Sequence, residues 1–144
     1  MSLLKIAHVP PAAVEPGASV LEAIRVMARE GVGAVAVAEG GRLQGIFTER
    51  DVMLRVAQQE RNPGQTRIAE VMTAPVESIT EETTADEALS FMLERHIRHL
   101  PILGRDGEIL GMLSIRNLLE NQVETLQREL HALDQYLSND GPGG

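Results

Sequence analysis

The chain has no cysteine and no tryptophan, and only 2% of its 144 residues are aromatic. Without cysteine it can form no disulfide, thiol nucleophile or thiolate-ligated zinc site; this fits a reducing compartment, and a cytoplasmic location is expected. With so few aromatics the core is expected to be built from Val, Leu, Ile, Ala and Met, and no stacking platform for single-stranded nucleic acid is expected. The net charge of -8 withholds the positive surface that phosphate-backbone binding needs, so no nucleic-acid partner is expected. No apolar run approaches the roughly 18 residues of a membrane-spanning helix. The opening Met-Ser-Leu-Leu-Lys-Ile-Ala-His lacks a signal-peptide core, and no membrane partner is expected. The four histidines, His8, His96, His99 and His131, show no paired spacing for a metal. No nucleophile–base pair emerges either, so no catalytic residue, metal site or enzymatic activity is expected. What remains is a globular composition, 43% hydrophobic and 24% charged.

Two stretches stand out against that background. Gly45-Ile46-Phe47-Thr48-Glu49-Arg50-Asp51-Val52 reads as a strand that turns directly into a helix at Thr48. Gly111-Met112-Leu113-Ser114-Ile115-Arg116-Asn117-Leu118 repeats the pattern 66 positions later. A hydroxyl followed three residues on by an acid is a capping box, and for one copy capping suffices. Two copies inside a duplication ask for more, and Asn117 is a poorer reciprocal capper than Glu or Gln.

The duplication runs through the whole chain. Pro10 to Pro16 is extended. A helix follows from Ser19, with Val20, Ala23, Ile24 and Met27 on one face, ending at Gly31. Val32–Val37 and Leu43–Phe47 are strands around the turn Glu39-Gly40-Gly41-Arg42, and a helix runs from Thr48 to about Gln59. After the linker Arg61-Asn62-Pro63-Gly64-Gln65 and a short helical turn, the order returns: extended Val76–Ile79, a helix capped by Thr84, strands His99–Leu103 and Ile109–Leu113, and a helix from Ser114. Ser19-Val20-Leu21-Glu22-Ala23-Ile24 matches Thr84-Ala85-Asp86-Glu87-Ala88-Leu89 at an offset of 65. The expected fold is α+β: two tandem strand-helix-strand-strand-helix repeats about a pseudo-twofold axis, with an extended C-terminal helix. The expected boundaries are a lead-in at 1–7, repeats at 8–60 and 68–120, a linker at 61–67, a helical extension at 121–137 and a flexible tail at 138–144. A repeat of about 60 residues buries too little alone, so the sheets should face each other and leave two equivalent clefts beside the junctions.

The two junctions, with Val71-Met72-Thr73 and Arg98-His99-Leu100-Pro101-Ile102, resemble a pair of CBS (cystathionine-β-synthase-type) domains, a Bateman module, here as a stand-alone protein. The similarity spans roughly residues 8–120. It implies a regulatory module that senses an adenosyl ligand in the clefts between repeats, requires no cofactor and modulates an unknown protein partner. AMP, ADP or ATP come first as ligand, then NAD(H) or S-adenosylmethionine. The resemblance carries to Thr48, Arg50, Asp51, Thr73, Arg98, His99, Pro101, Ser114 and Asn117. It implies that Asp51 takes both ribose hydroxyls, since a carboxylate accepts two hydrogen bonds at once. Thr48, with backbone amides at a helix start, would contact phosphate. Arg98 and His99, which have no basic counterpart in Gly31-Val32-Gly33-Ala34, would meet the phosphate charge. Ser114 matches Thr48, whereas Asn117 stands where the family prefers Asp and brings no charge, leaving the second cleft weaker or empty. The other reading is a scaffold with unused clefts. Arg95 and His96 read as a solvated helix end, and His8 and His131 as surface residues.

The last helix outruns its counterpart. Leu119, Val123, Leu126, Leu130, Leu133 and Leu137 fall at spacings of 4, 3, 4, 3 and 4, a heptad seam. Such a helix either lies on its own domain or pairs with another subunit. A parallel pair would set Glu129 against Asp134, so the expectation is a homodimer through an arm or an antiparallel pair.

Overall fold

The computed structural model describes residues 2–139. Met1 and residues 140–144 of the expected flexible tail lie outside the described residues. The first half runs β1 (Ala13–Val14), α1 (Val20–Glu30), β2 (Ala34–Glu39), β3 (Arg42–Thr48) and α2 (Glu49–Asp51), which continues as a π-helical run over Val52–Ala57. The second half follows a short α3 (Ile68–Val71) and runs β4 (Ile79–Thr80), α4 (Ala85–Arg95), β5 (His99–Leu103), β6 (Ile109–Ser114) and α5 (Ile115–Asn139).

Each half forms one three-stranded sheet, ordered β1-β2-β3 and β4-β5-β6, with the first pair parallel and the second antiparallel. Even the irregularity is duplicated: the register shifts between Val37 and Ala38 and again between Ile102 and Leu103. Ser19 and Thr84 cap α1 and α4 by accepting from the amides of Glu22 and Glu87. Those helices end on Gly31 and His96, both left-handed at φ 66° and 56°. Arg95 pairs with Glu77 at 2.8 Å and lies over the Phe91 ring, so this helix end is more structured than a solvated terminus requires.

The strands are apolar on both sides because both sides are covered. In β2, Val35 and Val37 point into the first helical core while Ala34 and Ala36 enter a separate layer with Ile46 and Met112. That small-residue layer joins the two sheets. The hairpins also meet, the Ile109 amide donating to the Gly41 carbonyl at 3.0 Å.

A less legible feature is a reciprocal exchange of lead-in segments. Leu3, in a 3-10 turn spanning Leu3–Lys5, is 0% exposed and belongs to the core of the second half. Ile68 and Val71, just before the second half, belong to the core of the first. The exchange extends to the sheets: His8 and Met112 trade backbone bonds of 2.9 and 3.1 Å, and Thr73 and Ile46 trade bonds of 2.8 and 3.0 Å. The glycine that opens each junction motif makes this crossing possible. A Cβ on Gly45 would meet the Thr73 carbonyl at 3.0 Å and Met72 Cγ at 2.9 Å; one on Gly111 would meet Val9 Cγ2 at 2.9 Å and the His8 carbonyl at 3.3 Å.

Candidate functional site

At the first junction β3 ends on Thr48 in an extended conformation and the chain turns at once into α2. The capping box is formed: the Asp51 amide donates to Thr48 Oγ1 at 3.4 Å, and the Thr48 amide donates to Asp51 Oδ2 at 3.0 Å. The Thr48 hydroxyl also donates to Oδ2, at 3.3 Å. The second junction repeats this, with the Ser114 amide donating to Asn117 Oδ1 and the Asn117 amide to Ser114 Oγ, both at 3.0 Å. The expectation that Asn117 caps poorly is therefore corrected. An amide oxygen accepts one backbone bond as well as a carboxylate oxygen does when the geometry is preset.

What separates the junctions lies on the other carboxylate oxygen. Asp51 is 7% exposed, and its Oδ1 accepts from the Thr73 hydroxyl at 3.3 Å and faces Arg55 Nε at 3.5 Å. Arg55 also donates to the carbonyl of Met72 at 3.1 Å. The Asp51 carboxylate thus ties the start of the helix to the segment exchanged between halves. At the second junction the counterpart of Thr73 is His8, whose Nε2 meets Glu30 at 2.9 Å instead, and the counterpart of Arg55 is Asn121. Arg55 was not singled out from the sequence, although its spacing of four from Asp51 on a helix was a usable signal.

The remaining expected residues divide between the junctions. Arg50 is exposed on α2. Arg98 is exposed, makes no ion pair among the described residues, and through its carbonyl accepts the Ile115 amide at 2.8 Å, at the start of α5. Gly33 does the same for the Glu49 amide at 3.1 Å. Several of the amides expected to greet a phosphate are therefore engaged internally. Pro101 is buried in the middle of β5, opposite Met112.

His99 crosses the divide between halves. A Cβ on Gly33 would lie 3.4 Å from His99 Cε1 and 3.0 Å from Glu49 Oε1, so imidazole and carboxylate flank the same glycine. Burial pushes the His99 pKa below its ordinary 6.5; the Glu49 carboxylate opposes the shift, and the Arg98 guanidinium adds to it. A depressed imidazole pKa means the fold favours the neutral ring. That stabilisation is complete above pH 6.5 and is lost as pH falls through the folded pKa, because the unfolded chain takes up the proton first. The melting temperature of the wild type should drop more steeply than that of His99→Gln as the solution is acidified from about pH 7.5 to about pH 5. Parallel curves would show that burial of the ring carries no such cost.

Among the described residues no cluster of His, Asp and Glu could hold a metal, and no helix is long and apolar enough to cross a membrane.

A family model for the CBS domain matches the chain twice, over residues 5–58 and 68–124. The CBS domain-containing protein YhcV of Bacillus subtilis is 35% identical over 112 residues, 78% of this chain and 79% of that one. The uncharacterized protein MK0525 of Methanopyrus kandleri is 29% identical over 126 residues, 85% of this chain but 64% of that one, so the match spans under two thirds of its length. Among solved structures, a signal-transduction protein with CBS domains from Burkholderia ambifaria, its role assigned by inference, superposes with a TM-score of 0.78 at 32% identity, covering 86% of this chain and 95% of that one. Two more distant structures share the fold. The CBS domain protein PAE2072 from Pyrobaculum aerophilum was solved with AMP (TM-score 0.73, 22% identity, 81% and 89% of the two chains). The CBS domain pair of MJ0100 was solved with 5′-methylthioadenosine and S-adenosyl-L-methionine (TM-score 0.78, 20% identity, 87% and 98%).

Proposed function

Because the chain belongs to the CBS-domain family, we propose that it is a regulatory module that binds an adenosyl ligand, AMP, ADP or ATP before others, and modulates a protein partner. The observation that carries this reading is Asp51: a buried carboxylate at a strand-to-helix junction, with one oxygen spent on capping and the other on two groups from outside the cap. The AMP and S-adenosylmethionine complexes of the distant relatives support the ligand class.

In this reading the repeats are 8–60 and 68–120. The ribose hydroxyls take the place of Thr73 and Arg55 at Asp51 Oδ1, and Thr48 and Arg50 turn toward the phosphate. Arg98 supplies charge and His99 a hydrogen bond, while Pro101 shapes the wall between halves. Ser114 and Asn117 form the weaker counterpart. Displacing Thr73 would loosen the segment paired with Ile46, which gives binding a route to a change in shape. No group in the arrangement is assigned a catalytic role.

A thermal-shift panel of AMP, ADP, ATP, NADH and S-adenosylmethionine tests the proposal. A ligand that binds only the folded chain at about 100 times its Kd stabilises it by about 2.7 kcal/mol and must raise the melting temperature. At least one adenine nucleotide should do so, and guanosine monophosphate should not. No response to any of them at millimolar concentration would favour a scaffold with unused clefts.

A further inference from the structure

Leu118 is fully buried in the second core, and past it α5 leaves the body of the protein. Leu119, Val123, Leu126, Leu130, Leu133 and Leu137 are each 49–62% exposed. The helix does not lie on its own domain, which was one of the two expectations for it. An apolar stripe of about 27 Å, at about 1.5 Å per residue, is left uncovered among the described residues.

We propose that this stripe is the docking face for a basic amphipathic helix of the regulated protein, with an apolar heptad seam flanked by Lys or Arg. The inference names the class of partner left open above and rests on that reading for its regulatory purpose. Its warrant is charge. In the heptad frame Gln122, Glu129 and Tyr136 flank one side of the seam, and Glu120, Gln127 and Asp134 flank the other. Arg128, the one full cation between 118 and 139, sits on the outer face, 3.7 Å from Glu124. Glu120 is paired with Arg116 at 2.8 Å. Glu129 and Asp134 make no ion pair among the described residues, and they bracket Leu130 and Leu133 from opposite sides.

A second copy is a poor fit to those flanks. In a parallel pair Glu129 faces Asp134 of the second copy. The antiparallel register that seats all six seam residues sets Leu119 on Leu137, Val123 on Leu133 and Leu126 on Leu130. It also brings Glu129 against its own equivalent and Glu120 against Asp134. The homodimer expected along this seam therefore meets like charge in both directions. A lipid surface fits no better, because interfacial helices carry cations beside the apolar face and the anionic leaflet repels acids. Lys or Arg at the flanking positions of a partner helix would meet Glu129 and Asp134 together.

The probe is a synthetic three-heptad helix with a Leu/Val seam and Lys at both flanking positions; its control carries Glu there. Titrated into the full chain by fluorescence anisotropy, the Lys peptide should bind one per chain and at least about tenfold more tightly than the Glu peptide, a difference of about 1.4 kcal/mol. The double variant Glu129→Lys, Asp134→Lys should reverse that order. Leu126→Asp with Leu130→Asp should abolish peptide binding and leave the sedimentation coefficient unchanged. Three results would overturn the proposal: both peptides binding alike or not at all, the double Asp variant turning a dimer into a monomer, or seam-dependent binding to phosphatidylserine vesicles. The AMP response of the same samples is read beside these, so a failed docking face is distinguished from a failed nucleotide site.

Discussion

Asp51→Ala is expected to lower the affinity for AMP at least about tenfold, while Asn117→Ala costs less or nothing. The magnitude follows from the acceptor. Hydrogen bonds to a charged group contribute about 1.5–3 kcal/mol against about 1 for neutral ones, and about 1.4 kcal/mol is a factor of ten. Asp51 also holds the fold together, since its loss strips the cap from Thr48 and leaves the Thr73 hydroxyl and Arg55 without their acceptor. A cap alone is worth about 1 kcal/mol, so the melting temperature should fall as well. Asp51→Asn separates the two effects. It keeps the shape and one capping oxygen, as Asn117 does at the second junction, and removes the charge. Titration calorimetry of Asp51→Asn should still show most of the loss in affinity, with a smaller fall in melting temperature than Asp51→Ala, because the cap is kept while only Thr73 and Arg55 lose their acceptor. Equal losses at Asp51 and Asn117, or a loss at Asn117 alone, would sink the asymmetric site.

Leu3→Ala is expected to destabilise the chain by about 2–5 kcal/mol, the range for emptying a buried leucine site. For a third residue that would be a large effect, on the order of a 10 °C fall in melting temperature. The reason is that Leu3 packs in the second core beside Met92, Leu100 and Leu118. Ile68→Ala should cost a similar amount from the first core, where Ile68 holds the mirrored place. Lys5→Ala, at an exposed neighbour of Leu3, serves as the control. A melting temperature unchanged by Leu3→Ala would mean that the lead-in does not support the second half.

That exchange was hard to read from the sequence. Leu3, Ile6 and Pro10 do align with Ile68, Val71 and Pro75 at the offset of 65, but three loose matches in short segments carry little weight. The strands were legible because Ala34–Val37 and Leu100–Leu103 are apolar without interruption and bounded by turns. The helix starts were legible from Ser19, Thr48 and Thr84, each of which caps as its chemistry predicts. The π-helical continuation of α2 over Val52–Ala57 was not, since its spacing of apolar residues reads only as helix. At the site, Thr48 and Asp51 could be paired from their spacing. The tie to Arg55 was readable from its spacing of four, whereas the tie to Thr73 and the approach of His99 to Glu49 depend on how the two halves cross and have no local signature. The seam of α5 was visible as a pattern, yet only the fold revealed that nothing among the described residues covers it.

Whether the Asp51 junction receives an adenine nucleotide is tested by an AMP titration of the isotopically labelled chain followed by amide NMR. Saturable shifts are expected at Thr48 to Asp51 and at Thr73, with weaker or absent shifts at Ser114 to Asn117, and loss of the response in Asp51→Asn. Shifts confined to other elements, or a full response retained in Asp51→Asn, would contradict binding at that junction.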